Sequence, residues 1–499
     1  MVNTPKLALV TGATGFIGSQ LVPALLDAGW SVRVLVRSPE KLDKAWVDRV
    51  EVTQGDATKT SDLDASLTDV NIAYYLLHSM DGDGDFVERD RNIARNFAEA
   101  SKKAKINRII YMSGLHDDTS DMANHMGSRA EVGNILESSG IPTTTMQAGI
   151  VLGTGSASYQ MLRHLTERLP IAVAPKWVAN HVQPIDIDDA IHFLVRAADL
   201  PANDSGPLDM GMDEIFSYRE MMYEYAKVTG IGPRWFGKVP FLTPQLASHW
   251  VGLVTPVGAG IAKPLVGSLI DDAVKGMGSA RDASKVLGNP KNGLTNFAES
   301  IRKHSKDYDP KLFGRVARRV VASVVATGVV GAIGSQPSSA SYRALRKPSW
   351  QPPNIVFPVV WTALYALIAA GSTMTIAELA EADAKKEGNE DGSGSAARDY
   401  GAALAVNLGL NALWPWLEFR ANTTKTSAVG AGLLAISSAD LVRRARMTRK
   451  ENAALLTPYA AWTAFATILS TEIARLNQPK NGLRGAIAYS AKKLARRFK

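Results

Sequence analysis

The fold is decided near the start of the chain, where residues 6–18 read Lys-Leu-Ala-Leu-Val-Thr-Gly-Ala-Thr-Gly-Phe-Ile-Gly. The apolar run predicts a buried strand, and residues 21–26 continue with the spacing of a helix. Three glycines placed between a strand and a helix are typical of a dinucleotide-binding turn. Gly12 permits the tight turn, Gly15 lets backbone approach a pyrophosphate, and Gly18 lets the helix pack on the strand.

This loop is the predicted phosphate site. The N-terminus of a helix offers unpaired backbone N–H groups and the positive end of the helix dipole, and both attract phosphate. The residues that we expect to hold the cofactor are Gly12, Thr14, Gly15, Phe16, Ile17 and Gly18.

Strands and helices alternate after the loop. A helix is predicted at about residues 86–103, and further strands are predicted at residues 32–36, 50–54, 72–77 and 108–113. This alternation predicts an α/β doubly wound, Rossmann-type domain with a parallel sheet.

The residues that end the second and third strands bear on the choice of cofactor. An acid after the second strand would bind the ribose diol of NAD(H), but this chain has Arg37 there. Arg37 suits a 2′-phosphate and favours NADP(H) over NAD(H), unless it is an ordinary solvated charge. Asp56 follows the third strand and is expected either to bind the adenine amino group or to cap a helix.

Composition sets the outer limits. The 499 residues correspond to about three domains. The chain has no cysteine, which excludes disulfides, zinc–thiolate sites and thiol nucleophiles, and we predict no metal site. The net charge of +8 indicates an anionic partner. The start of the chain has no pattern of a signal peptide.

The N-terminal part resembles the extended and atypical short-chain dehydrogenase/reductase superfamily, and within it the NAD(P)-binding, NmrA-like branch. The resemblance implies a cofactor domain over residues 1–210 and a substrate-side extension over residues 211–312. It covers residues 6–310. The motifs that carry it are the glycine loop, Gly55-Asp56 and the segments at residues 74–80, 78–86, 110–114 and 147–156.

The catalytic motif of that superfamily is altered. Active members carry Tyr-x-x-x-Lys, in which the lysine lowers the pKa of the tyrosine so that it delivers a proton. His125 and Arg129 occupy those two positions here, and Ser113 matches the active-site serine. Histidine transfers protons near neutral pH, although His125 has helix capping or packing as its alternative role. Nucleotide binding is therefore expected, and substrate reduction stays open.

A different composition begins after residue 310. Because a membrane span needs about 20 mostly apolar residues, we predict an all-α five-helix transmembrane bundle over residues 313–478, with a buried soluble bundle as the alternative. A flexible acidic loop is predicted at residues 378–399. The five apolar runs are residues 320–335, 355–377, 400–419, 427–442 and 453–476. The whole-chain mean hydropathy of −0.05 thus averages a soluble part and a membrane part.

Aromatic and proline motifs in this part resemble the TspO/MBR family of tryptophan-rich sensory and translocator proteins. The motifs are Leu345-Arg-Lys-Pro-Ser-Trp-Gln-Pro-Pro353, Asn407-Leu-Gly-Leu-Asn-Ala-Leu-Trp-Pro-Trp416 and Pro458-Tyr-Ala-Ala-Trp-Thr-Ala-Phe465. The resemblance implies a membrane pocket for porphyrin or a similar lipophilic ligand. The residues that it implies on or near the pocket are Trp350, Pro353, Trp361, Asn411, Trp414 and Trp462. Some of these tryptophans are expected only to pack or to lie at the lipid interface.

Basic residues suggest the orientation. Arginines at residues 315–319 and 443–449 place the N-terminal domain in the cytoplasm by the positive-inside rule. Five spans then put the basic residues 479–499 on the far side, which the rule disfavours.

We expect that tail to form an amphipathic helix on anionic lipid. No recognition motif indicates nucleic acid, and the TspO/MBR resemblance implies a homodimer.

Three functions follow from these patterns. The first is a membrane protein that couples an NADP(H)-binding domain to a pocket for a tetrapyrrole or similar lipophile. The second is a membrane-tethered NADPH-dependent reductase of a lipophilic substrate. The third is a nucleotide sensor without catalysis.

Overall fold

The chain forms two compact units, Met1–Pro310 and Lys311–Lys499, each of which is considered by itself. The computed structural model describes residues 6–78, 86–116, 124–174, 176–238, 251–387, 395–420 and 423–478. The basic tail predicted at residues 479–499 lies outside the described residues.

Unit 1 contains a large parallel sheet and several two-stranded pairs. Its strands are β1 Leu7–Thr11, β2 Ser31–Val36, β3 Glu51–Gln54, β4 Ile72–Tyr75, β5 Arg108–Gly114, β6 Thr143–Ala148, β7 Val151–Leu152, β8 Ile171–Ala174, β9 His181–Val182, β10 Ile185–Asp186, β11 Gly206–Met210, β12 Phe216–Ser217, β13 Trp235–Lys238 and β14 Arg281–Asp282. The large sheet has the strand order β14-β11-β6-β5-β4-β1-β2-β3. All of its strand pairs are parallel.

Helices cover both faces of this sheet. They are α1 Gly18–Asp27, α2 Thr60–Leu67, α3 Phe86–Ala104, α4 Asn124–Glu137, α5 Ala157–Arg168, α6 Ile187–Ala197, α7 Tyr218–Thr229, α8 Ala259–Gly267, α9 Ala283–Leu287 and α10 Phe297–His304. Leu21 of α1 and Phe193 of α6 are fully buried in one core cluster, and Leu63 of α2 and Phe97 of α3 in another. The predicted doubly wound parallel sheet is confirmed.

The strand order explains where a ligand can bind. Connections from β1 run to one side through β2 and β3, and from β4 to the other side through β5 and β6. The order therefore reverses between β1 and β4, and in such sheets ligands bind beyond the carboxyl ends of the strands at that reversal. The glycine loop follows β1 at this point.

All the secondary-structure elements described in unit 2 are helices. Its helices are α11 Leu312–Gly334, α12 Ala340–Arg343, α13 Val356–Glu387, α14 Ala396–Phe419, α15 Thr424–Thr448 and α16 Lys450–Leu476. Among the described residues, three segments are long and apolar enough to cross a membrane, namely Leu312–Gly334, Val356–Lys385 and Lys450–Leu476. Helices α14 and α15 are not among these segments, so the count of five spans stays a prediction.

The loop predicted at residues 378–399 is shorter than expected. Helix α13 continues through Glu387, and α14 already begins at Ala396. The sequence after residue 377 is rich in alanine, glutamate and lysine, which favour helix although their charges exclude the segment from lipid. The composition correctly marked the end of the apolar run, but the helix does not end with it.

A buried acid joins the last helix of unit 1 to the edge of the core. Asp186 is fully buried at the N-terminus of α6. Its Oδ2 accepts a hydrogen bond from Ser300 Oγ at 2.7 Å and lies 2.9 Å from His304 Nε2, while Lys303 Nζ donates to Oδ1 at 2.9 Å. Burial raises the pKa of Asp186, but the hydrogen bonds from His304, Ser300 and Lys303 outweigh burial and lower the pKa below its ordinary value.

We expect Asp186→Asn to destabilise unit 1 by about 3 kcal/mol, because it removes the charge of a fully buried carboxylate that binds three side-chain groups, and an amide has only one acceptor oxygen. Urea unfolding of the full chain in detergent, followed by proteolysis of unit 1, measures the loss. Glu299→Gln changes an exposed acid of α10, the helix that carries Ser300, Lys303 and His304, and is the matched control.

The same experiment has a pH arm. Because the folded pKa of Asp186 is lowered, its stabilisation is present above the unfolded value of about 4 and is lost as pH falls below it. The difference between wild type and Asp186→Asn should therefore shrink on acidification. A difference that stays constant down to pH 3 would contradict the assignment.

Candidate functional site

The glycine loop has the geometry of a close turn against the sheet. Gly12 has φ +74°, in the left-handed region that favours glycine. A Cβ at Gly12 would lie 2.9 Å from the Leu76 carbonyl oxygen, and one at Gly18 would lie 2.3 Å from the Gly12 carbonyl oxygen. Gly15 is less crowded, since its Cβ would meet only the Gly12 oxygen, at 3.2 Å. The open side of the loop is therefore at Gly15.

The loop also presents unused donors. No side chain caps the N-terminus of α1. Within the part of the chain that the structure describes, no acceptor is found for the backbone N–H groups of Phe16, Ile17 and Gly18. Uncapped amides at a helix N-terminus beside an open glycine fit the pyrophosphate of a dinucleotide.

The neighbouring strand ends bring Arg37 and Asp56 to the same edge. Gly55 N donates to the Val36 carbonyl at 3.0 Å, so the residues after β2 and β3 are adjacent. Arg37 is exposed. The Thr58 amide and, more weakly, the Arg37 charge lower the pKa of Asp56. Arg33 is engaged elsewhere, in a 2.6 Å ion pair with Glu51.

Asp56 shows the alternative role that its sequence position allowed. Its Oδ1 accepts a hydrogen bond from Thr58 N at 2.9 Å, and its own N–H donates to Asp62 Oδ2 at 2.9 Å. This is an Asx turn just before α2.

A second polar group lies at the carboxyl ends of β4 and β5. Ser113 is 3% exposed, and its hydroxyl has no hydrogen-bond partner among the described residues. Tyr111 lies two residues earlier on the same face of β5 and donates its hydroxyl to the Arg129 carbonyl at 3.1 Å. Nearby, His78 Nδ1 is 3.4 Å from Asp90 Oδ2.

Burial controls the protonation of this group. It raises the pKa of Tyr111 to about 12, and it lowers the pKa of Arg129. Burial also lowers the pKa of His78, against the opposing effect of Asp90. The group therefore pairs a neutral tyrosine and a neutral histidine with a buried arginine at neutral pH.

The structure places the predicted catalytic residues only in part. Ser113 and Arg129 both lie beside Tyr111. His125 is in the first turn of α4, but its side chain lies outside the described part, as do residues 79–85. Sequence reasoning missed Asp90 and Tyr111. The available signals were an acid on the buried face of α3 and a tyrosine two residues before the serine.

Unit 2 encloses a cavity of about 640 Å³. Helices α11, α13, α14 and α16 contribute its wall, together with the segment between α11 and α13. The aromatic and polar residues of the wall are Tyr342, Asn354, Phe357, Trp361, Tyr365, Asn411, Trp414, Glu418, Phe419 and Ser470. A volume of this size is typical of pockets for small organic ligands.

Aromatic rings form the middle of the wall. The Trp361 ring lies 5.6 Å from Tyr365 and 6.4 Å from Trp414, with interplanar angles of 36° and 35°. The indole N–H of Trp414 is buried without a partner among the described residues. Such flat faces with an unused donor suit a planar aromatic ligand that carries an acceptor.

Asn411 is held by a buried chain of hydrogen bonds. Tyr365 donates to Asn411 Oδ1 at 3.0 Å, and Asn411 Nδ2 donates to Tyr459 Oη at 2.9 Å. Tyr459 donates onward to Asn407 Oδ1 at 2.9 Å, and Asn407 donates to Ser438 at 3.1 Å. Asn411 lines the cavity as predicted, yet its amide mainly ties α14 to α13 and α16.

Three of the six predicted pocket residues are not among the residues that line the cavity. Trp350 is 47% exposed, and its ring lies 6.0 Å from Phe465. Trp462 lies 5.9 Å from Phe357, a residue of the wall, and so supports the wall from outside. Pro353 is exposed just before α13. The motifs locate these residues near the pocket, but the direction of each side chain depends on helix packing.

Acidic and hydroxyl residues of the wall were missed as pocket residues. Glu418, Tyr342 and Ser470 line the cavity. An acid near the end of an apolar run was an available signal for Glu418. Among the described residues, no group of three His, Asp or Glu side chains could hold a metal ion.

Family models match both units. One described as NAD(P)H-binding matches residues 12–177, and one described as TspO/MBR family matches residues 320–476. The two matched regions fall on the glycine-loop domain and on the helices that enclose the cavity.

Individual proteins are similar to parts of this chain. The tryptophan-rich protein TspO of Chlorobaculum tepidum is 32% identical over 152 residues, covering 30% of this chain and 89% of that protein. A ceramide reductase of Caulobacter vibrioides is 28% identical over 229 residues, covering 45% of this chain and 71% of that protein. A solved structure of an NADPH-dependent quinone oxidoreductase from Escherichia coli, complexed with NADPH, is 22% identical with a TM-score of 0.46, covering 59% of this chain and 99% of that chain. By its C-terminal unit the chain belongs to the TspO/MBR family, and it carries an NAD(P)H-binding, Rossmann-type domain before that unit.

Proposed function

We propose that this protein binds NADP(H) in unit 1 and a planar lipophilic ligand of the porphyrin type in the cavity of unit 2. The observation that carries the proposal is the Trp361–Trp414 wall with its unpartnered indole N–H. Because both units are on one chain, each is at a high effective concentration for the other. A ligand released by one unit therefore reaches the other readily. The open side of the glycine loop at Gly15 and the backbone N–H groups without acceptors at the start of α1 support nucleotide binding by unit 1.

Unit 2 is proposed to cross the membrane with five helices. Helices α14 and α15 also carry large exposed aliphatic side chains. Val406 on α14 is 61% exposed, and Val429 and Ile436 on α15 are 63% and 70% exposed. Lipid is the solvent in which such faces are stable. Unit 1 is proposed to lie in the cytoplasm, where the arginines in the first turns of α11 and at the end of α15 also belong.

Arg37 is proposed to select the 2′-phosphate of NADP(H). We expect Arg37→Ala to weaken NADPH binding about tenfold and to leave NADH binding within a factor of two, because a charge-assisted contact with phosphate contributes about 1.5 kcal/mol. Calorimetry with both nucleotides on the full chain in detergent measures this. Arg49→Ala, an exposed arginine paired with Asp27, is the control. Equal losses for the two nucleotides would contradict selection.

Trp361 is proposed to stack on the cavity ligand. We expect Trp361→Ala to weaken protoporphyrin IX binding at least tenfold, because the ligand loses an aromatic face. Absorbance titration in the porphyrin Soret band measures binding without relying on tryptophan fluorescence. Trp350→Ala removes an exposed tryptophan outside the cavity wall and should bind nearly as wild type. Similar losses in both variants would reject the cavity as the porphyrin site.

A second candidate function is reduction of a lipid carbonyl by unit 1. The similarity to a ceramide reductase and the buried group around Ser113 favour it. A bound nicotinamide cofactor would supply a hydride to the carbonyl carbon. The chain must then hold the carbonyl and deliver a proton to its oxygen. The Ser113 hydroxyl is proposed to bind that oxygen, and His125 to donate the proton.

If unit 1 is a reductase, Ser113→Ala should lower kcat at least 100-fold, since it removes a group that binds the developing oxyanion. NADPH oxidation with a ketone-bearing sphingolipid, monitored at 340 nm, measures the rate. NADPH affinity should change little. NADPH binding without any oxidation in wild type would instead support a non-catalytic nucleotide sensor.

A further inference from the structure

The wall of the cavity carries one carboxylate among its aromatic rings. Glu418 lies in the last turn of α14 and lines the cavity together with Tyr342 and Ser470. An acid within an apolar helix bundle is costly unless it is paired or used. The function proposed above for the aromatic wall gives Glu418 no role.

The two oxygens of Glu418 have different surroundings. Oε2 accepts hydrogen bonds from Ser427 on α15 and from Ser470 on α16, the latter at 3.1 Å. Oε1 accepts no hydrogen bond from the described residues. Two hydroxyl donors from two other helices therefore fix the carboxylate through one oxygen and leave the other as an acceptor. The geometry is that of a positioned group and not of a mobile surface acid.

The nearby cation does not use the remaining oxygen. Lys347 interacts electrostatically with Glu418, but its Nζ lies over the Tyr342 ring, 4.1 Å from the centroid. No ion pair within 4.0 Å joins Lys347 to Glu418 among the described residues. The acceptor capacity of Oε1 is thus available to a ligand in the cavity.

We propose that Glu418 makes this cavity selective for lipophilic aromatic ligands that carry a cationic or N–H donor group, and disfavours ligands whose own carboxylate would face Oε1. The selectivity rests on the proposed role of the cavity as a ligand site. It deepens that role, because the aromatic wall sets the planar shape and Glu418 sets the charge. A donor placed on Oε1 gains a charge-assisted hydrogen bond among apolar and aromatic side chains, where such a bond is stronger than in water.

The probes are rhodamine B and its ethyl ester, which share one ring system but differ by a carboxylate. Fluorescence polarisation with the full chain in phosphatidylcholine nanodiscs, with empty nanodiscs as blank, measures both affinities. We expect wild type to bind the ester at least tenfold more tightly than the acid. Glu418→Gln should reduce that ratio to about two or less, and Glu418→Asp should retain most of it.

Glu472→Gln is the matched control, since Glu472 is an acid of α16 paired with Arg475 on the outside of the bundle. It should keep the wild-type ratio. An equal ratio in wild type and Glu418→Gln would overturn the selectivity while leaving protoporphyrin binding as evidence for the cavity. Failure of wild type to bind protoporphyrin and both rhodamines would instead reject the proposed function of the cavity. Loss of helical circular dichroism in Glu418→Gln is checked separately, and Glu418→Asp then carries the test.

Discussion

A polar group removed from water needs a partner, and this requirement organises both units of the protein. In unit 2 the chain from Tyr365 through Asn411, Tyr459 and Asn407 to Ser438 links α13, α14, α15 and α16. In lipid these bonds have no competing water, so each member fixes the rotation of its helix. The aromatic wall can keep its shape because the helices that carry it are held in one register.

In unit 1 the same requirement applies to two buried charged groups, which are paired by several hydrogen bonds each. Asp186 receives three side-chain donors from α10, and Arg108 on β5 donates to the carbonyls of Leu200 and Pro201 beyond α6. Both ionic groups are buried and both are multiply bonded, as a stable interior requires. These contacts tie α10 and the segment after α6 to the interior of unit 1. At the cofactor edge, in contrast, several backbone N–H groups of the loop after β1 and the Ser113 hydroxyl have no partner among the described residues. A bound ligand would supply partners for them.

The sequence predicted those features that depend on local chemistry. The turn at Gly12 and the parallel strands follow from glycine spacing and apolar runs, and they are confirmed. The tryptophan motifs located the pocket region but not which rings reach it, because Trp350 and Trp462 differ from Trp361 only in how their helices and loop pack. Glu418 was missed for a related reason: a single acid has no periodicity, and its neighbours Ser427 and Ser470 come from other helices.

The length of α13 bears on where along this helix the hydrocarbon of the bilayer ends. Its 32 residues extend about 48 Å, whereas the hydrocarbon core is about 30 Å thick. If the apolar residues up to 377 fill the hydrocarbon, the remaining turns project into water as a rigid stem. Glu378, at the base of that stem, contacts Arg449 at 3.3 Å and Asn452 at 2.8 Å. In that arrangement the cluster would lie where lipid meets water and would hold α13 and α16 at one depth in the bilayer.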